Sequence, residues 1–157
     1  MANHTHHTNA HTNAHTNAHT NAHAMNQLPA AALKNVLVVD DSLAICHFLS
    51  ASLGAAGYAT VAAANGFDAY QKAKAGHFDL VITDQNMPRM NGVELIRILR
   101  AMPDYALVPI LVLTIESSPE LKRMARECGA SGWVVKPIGS DHIVAVAKQL
   151  LAPRLNS

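Results

Sequence analysis

The sequence predicts an α/β domain, a doubly wound parallel sheet of five strands with helices on both faces. Strand-like and helix-like segments alternate five times after Leu28. The strand-like runs are short and apolar, as in strands buried on both faces. Strands that alternate with helical segments of roughly 10 to 15 residues require parallel pairing through right-handed crossovers.

The first strand is Val36-Leu37-Val38-Val39, ending at two acidic residues. Ser42 then caps a helix whose apolar positions Leu43, Ile45, Phe48, Leu49 and Leu53 roughly follow helical spacing, with Gly54 and Gly57 marking its fraying end. The second pair is Ala59 to Ala63 and Phe67 to Ala75, the third Leu80 to Thr83 and Val93 to Met102. The fourth is Ile110 to Thr114 and Glu120 to Cys128, the fifth Val134 to Val135 and Ile143 to Leu151.

At 157 residues, 50% hydrophobic and 15% charged, the chain fits one domain on a prior of roughly 100 to 200 residues. Twelve Lys plus Arg against eleven Asp plus Glu leave +1, no basic field for nucleic acid or an anionic membrane. Cys46 and Cys128 make neither a disulfide framework nor a zinc motif. With no apolar run near the roughly 18 residues of a membrane span and no signal sequence, a cytoplasmic monomer is the expectation.

Residues 1–27 differ in kind: they carry no Asp, Glu, Lys or Arg but seven of the ten histidines. Four His-Thr-Asn-Ala repeats, poor in helix formers and apolar side chains, predict a disordered tail before a domain spanning 28–157. A transition-metal tract is the sharper alternative, and Met25 is a second candidate start.

In open parallel sheets ligands bind beyond the C-terminal ends of the strands. There stand Asp40 and Asp41 after the first run, Asp84 after the third, Thr114 at the end of the fourth and Lys136 after the fifth. Three carboxylates at one sheet edge repel one another unless a cation and the Lys ammonium compensate them, and hard oxygen donors favour Mg2+. Magnesium bridges carboxylate to phosphate oxygens, which points to phosphoryl chemistry with Asp84 as nucleophile and Thr114 and Lys136 binding equatorial oxygens.

Val38-Val39-Asp40-Asp41-Ser42, Thr83-Asp84-Gln85-Asn86-Met87-Pro88-Arg89-Met90-Asn91-Gly92, Leu113-Thr114 and Val135-Lys136-Pro137 together resemble the signatures of response-regulator receiver domains, over about residues 34 to 152. Within that family the stretches Leu113 to Ser118 and Gly129 to Pro137 are most similar to the chemotaxis regulators of the CheY type. The resemblance implies a flavodoxin-like (βα)5 fold with strand order 2-1-3-4-5. It also implies a phosphoryl group passed from a sensor histidine kinase to Asp84.

By the same resemblance, Asp41, Asp84 and the main-chain carbonyl of Asn86 ligate Mg2+, Asp40 acts largely through water, and Lys136–Pro137 is cis. Thr114 and Trp133 form the switch, and Asn86 and Glu116 modulate dephosphorylation. The output face comprises the fourth helix, fifth strand and fifth helix. A CheY-type regulator implies a chemotaxis kinase as donor and the flagellar motor switch protein as target. With no second domain read before Leu28 or after Ser157, output is expected through partner binding, without DNA binding or enzymatic activity beyond self-phosphorylation and autodephosphorylation.

Three departures stand out. Cys46 replaces a residue that is commonly basic, removing an expected surface charge. Ile115 is bulkier than usual beside the switch Thr and is expected to narrow access to Asp84, and Ile138 replaces the usual Phe and is expected to alter packing of the last helix. Four competing functions frame the reading. A haloacid-dehalogenase-like phosphatase wants an acid where Asn86 stands, and a nucleotide- or flavin-binding module conflicts with Asp40-Asp41 in its phosphate cradle. The others are a phosphorylation-independent receiver and a stand-alone receiver in another two-component pathway or phosphorelay.

Overall fold

The computed structural model describes residues 33–153. The expectations for the His-rich tail, for the boundary at residue 28 and for the start at Met25 fall outside those residues. Five parallel strands, β1 (Asn35–Val39), β2 (Ala59–Ala63), β3 (Leu80–Asp84), β4 (Ile110–Thr114) and β5 (Gly132–Val135), form one sheet in the order β2-β1-β3-β4-β5. Helices α1 (Leu43–Ala55), α2 (Gly66–Ala75), α3 (Gly92–Arg100), α4 (Pro119–Cys128) and α5 (Ser140–Leu151) alternate with them. This is the flavodoxin-like α/β fold that the sequence predicts.

Alternation along β1 divides the interior. Val36 and Val38 face a layer built with Cys46, Leu49 and Leu53 of α1 and Ile143 and Ala147 of α5. Leu37 and Val39 face the opposite layer, with Ala69 and Ala73 of α2 and Leu95, Ile96 and Leu99 of α3. Each layer removes a continuous apolar surface from water, the main force holding helices onto the sheet.

Local chemistry sets the helix ends. Ser42 is the N-cap of α1 and accepts from the Ile45 N–H at 3.4 Å, while Gly57, just beyond the helix, takes φ 97°, a left-handed conformation open to glycine. Helix α3 ends at Arg100, two residues before the predicted end, and a 3-10 turn follows at Pro103–Tyr105. Met102 lies before Pro103, whose ring disfavours helical geometry there, and is extended at ψ 125°. Strand β5 begins two residues earlier than predicted because Gly132 and Trp133 find partners in Leu111 and Val112 of β4.

Candidate functional site

Register assembles the site. Val39 pairs with Thr83, so Asp40 and Asp84 emerge side by side one residue later, and Asp84 itself pairs with Leu113. Thr114 pairs with Val135, and the next residue, Lys136, donates its main-chain N–H to the Thr114 carbonyl at 2.8 Å. Four strand ends thereby place Asp40, Asp41, Asp84, Thr114 and Lys136 at one edge of the sheet.

Asp40 and Asp84 are buried, whereas Asp41 is exposed, and carboxylate oxygens of all three lie within 4.8 Å of one another. Lys136 donates from Nζ to Asp40 Oδ2 at 2.9 Å and lies 3.3 Å from Asp84 Oδ1. The other Asp40 oxygen accepts the Ser42 N–H at 2.9 Å. Helix α1 is capped by Ser42 and has no acid in its first turn, so the two aspartates are not its caps.

Burial pushes the Asp84 carboxyl above its ordinary range; the Lys136 charge opposes the rise and the Asp40 charge adds to it. Burial by itself lowers Lys136, but its hydrogen bond with Asp40 and the charges of Asp40 and Asp84 outweigh that and hold it above the ordinary lysine range. One ammonium thus faces three acids, which leaves an excess of negative charge in a half-enclosed site. An all-oxygen set without thiolate or imidazole fits a hard divalent cation such as Mg2+.

Thr114 is fully buried, and its Oγ1 accepts the Glu116 N–H at 3.1 Å. Asn86 Nδ2 donates to Glu116 Oε1 at 3.1 Å, linking the loop after β3 to the loop after β4. Trp133 is half-buried against the layer of α2 and α3, and its indole nitrogen is buried without an acceptor among the described residues. Lys136–Pro137 is cis, as the resemblance implied.

One expectation is corrected. Cys46 does not stand where a surface charge is lost: it is 2% exposed and its thiol donates to the Asp40 carbonyl at 3.3 Å. Burial pushes this thiol up, with the charges of Asp40 and Asp41 adding to the effect, so it remains a protonated donor beneath the acidic loop. Ile115 is 73% exposed on the wall of an apolar groove of about 560 Å³ with Phe48, Pro137 and Ile138. Lys136 lines the same groove, so the wall that Ile115 forms borders the acidic set. Gln85, which the motif left without a role, is buried and bonded to the start of α3. Nothing in its neighbours along the chain marks that contact, because the acceptor and donor meet only when the loop closes.

Residues 36–148 match the response regulator receiver domain. A gliding motility regulatory protein from Myxococcus xanthus is 37% identical over 112 residues, covering 71% of this chain and 14% of that protein. The transcriptional regulatory protein ZraR of Escherichia coli is 32% identical over 118 residues, 75% of this chain and 26% of its own length. The chain therefore spans a small part of these curated relatives. Among solved structures, the Vibrio cholerae chemotaxis protein CheY4 superposes with TM-score 0.75 at 41% identity, covering 76% of this chain and all of that one. A response regulator from Burkholderia multivorans gives 0.67 at 44% identity over 79% of this chain and 99% of its own. With the acidic set at the ends of β1 and β3, the lysine after β5 and a family match across most of its length, the chain belongs to the response regulator receiver domains, the signalling modules of two-component systems.

Proposed function

We propose that this protein accepts a phosphoryl group from a histidine kinase on Asp84 and thereby switches a surface that binds an output partner. The observation that carries the proposal is the Asp84 carboxylate, buried at a strand end beside two further carboxylates and 3.3 Å from the Lys136 ammonium. Asp41, Asp84 and the Asn86 carbonyl would hold Mg2+, with Asp40 acting through water. When bound, the ion supplies charge neutralisation for the incoming phosphoryl oxygens.

The remaining chemistry belongs to the chain. An Asp84 carboxylate oxygen forms the new bond to phosphorus as the phosphorus–nitrogen bond to the donor histidine breaks. Lys136 already lies within reach of the charge that develops, so its ammonium needs little rearrangement to bind a phosphoryl oxygen. The Thr114 hydroxyl gives up the Glu116 N–H and donates to a phosphoryl oxygen, and Trp133, two residues before its partner Val135 on β5, follows into a different packing. Phosphorylation stabilises that second arrangement only by the extra interaction it makes there. Asn86 and Glu116, hydrogen-bonded across the mouth of the site, govern access of the water that ends the signal.

Similarity to a chemotaxis protein supports a CheY-type role in the cytoplasm, as a monomer, with a chemotaxis kinase as donor, the flagellar motor switch as target and α4, β5 and α5 as the output face. Similarity to a gliding motility regulator and to a transcriptional regulator supports a second reading, service in another two-component pathway or relay. Partners copurifying with the phosphorylated protein separate the two. The central test is intact mass after incubation with Mg2+ and acetyl phosphate. One phosphoryl adduct that disappears in Asp84→Asn, with a parallel change in Trp133 fluorescence, is expected. Absence of the adduct even with a cognate kinase overturns the proposal in favour of phosphorylation-independent binding.

A further inference from the structure

Gln85 sits between Asp84 and Asn86, yet its side chain turns back into the protein. It is 4% exposed, and its Oε1 accepts the Val93 N–H at 3.0 Å. Its main-chain carbonyl accepts the Gly92 N–H, also at 3.0 Å. Gly92 and Val93 open α3, where the first N–H groups have no acceptor within the helix. One residue therefore satisfies two such donors, while Asn91 Oδ1 takes a third from Glu94 at 2.9 Å.

The consequence reaches the strand end. The two bonds close the loop of residues 86–91 at its base and fasten it to the rigid start of α3. On the other side there is no slack, because a Cβ at Gly92 would stand 2.6 Å from the Asp84 carbonyl oxygen and 2.9 Å from Gln85 Oε1. Thr83 Oγ1 donates to the same Asp84 carbonyl at 2.9 Å. The main chain through 84 and 85 is thus gripped by β3, by Thr83 and by the helix.

We propose that Gln85 is a positioning residue of the acidic site: its clamp on α3 fixes the main chain from Asp84 to Asn86, and with it the Asp84 carboxylate and the Asn86 carbonyl, before a cation arrives. This rests on the function proposed above. Residues that orient ligands from behind influence metal affinity by roughly 10- to 100-fold when removed.

Gln85→Met keeps the length and loses the acceptor; Gln85→Asn is one methylene too short and replaces it if the methionine form does not fold. Gln85→Glu keeps an acceptor oxygen. The readouts are amide exchange at Val93 in metal-free protein, Mg2+ affinity by calorimetry, and thermal midpoint. Gln85→Met is expected to speed Val93 exchange and weaken Mg2+ binding about tenfold or more, whereas Gln85→Glu retains both protection and affinity. A lowered midpoint with wild-type Mg2+ affinity would reduce Gln85 to a helix cap and overturn the inference alone. Wild-type protein that binds no Mg2+ would overturn the proposed function, and the inference with it.

Discussion

Asp84 is held in a setting that disfavours its own charge. Burial and the Asp40 carboxylate raise its protonation range, while Lys136 compensates only in part. Ionised Asp84 is therefore a cost in the metal-free fold. Its contribution to stability is most favourable below the ordinary carboxylate value of 3.8, declines as pH rises through the elevated folded value, and stays lost at neutral pH. Lys136 behaves oppositely: its folded value lies above 10.5, so its stabilising contribution is complete at neutral pH and disappears only in strong alkali. Asp84→Asn removes the like-charge repulsion and leaves Lys136 its 2.9 Å bond to Asp40. At neutral pH it is expected to stabilise metal-free protein by on the order of 1 kcal/mol, roughly 3–5 °C in melting temperature. The gain should shrink as the solution is acidified through the elevated folded value of Asp84 and vanish below the ordinary value of 3.8, and added Mg2+ should raise the wild-type midpoint far more than the variant's. Thermal scans across pH with and without Mg2+ measure all three effects.

Helix starts, more than helix interiors, shape this site. Ser42 caps α1 and leaves Asp40 and Asp41 to the sheet edge, whereas α3 begins against the chain it follows. Gly92 is the tight point: it lacks a Cβ because the Asp84 carbonyl would lie 2.6 Å from one. Gly92→Ala is expected to cost about 1–3 kcal/mol through overpacking against backbone that cannot move without shifting Asp84. Phosphorylation by acetyl phosphate should slow in the same variant. Urea titration and the time course of adduct formation test the two parts separately. At this scale α1 and its cap were legible, since Ser42 and the apolar spacing are local. The end of α3 was legible only in part: Pro103 breaks the helix locally at Met102, but Arg100 also turns its guanidinium onto the Tyr105, Val108 and Gly129 carbonyls, contacts that exist only in the folded chain.

Across the whole molecule, two apolar layers clamp one sheet, and the site sits at the edge that both layers steady. Ile143 of α5 is fully buried against the layer that also holds Cys46, which in turn bonds the Asp40 carbonyl. Ile143→Ala is expected to destabilise by about 2–5 kcal/mol, read from chemical denaturation as a shift in midpoint. The loss reflects a cavity beneath α5, so Mg2+ affinity at low temperature should change little.

The sequence by itself determined the layered fold, the five strands and five helices, and the identities of Asp40, Asp41, Asp84, Thr114 and Lys136 as one constellation. It did so because burial on both faces writes unbroken apolar runs, and because parallel strands all deliver their next residues to the same edge. Tertiary structure alone decided the rest. Cys46 lies under the acidic loop because α1 packs that face onto the sheet. The start of β5 follows the register of β4, and Gln85 meets Val93 only after the chain has turned through eight positions. Such contacts join residues whose spacing obeys no period, so packing places them where pattern does not.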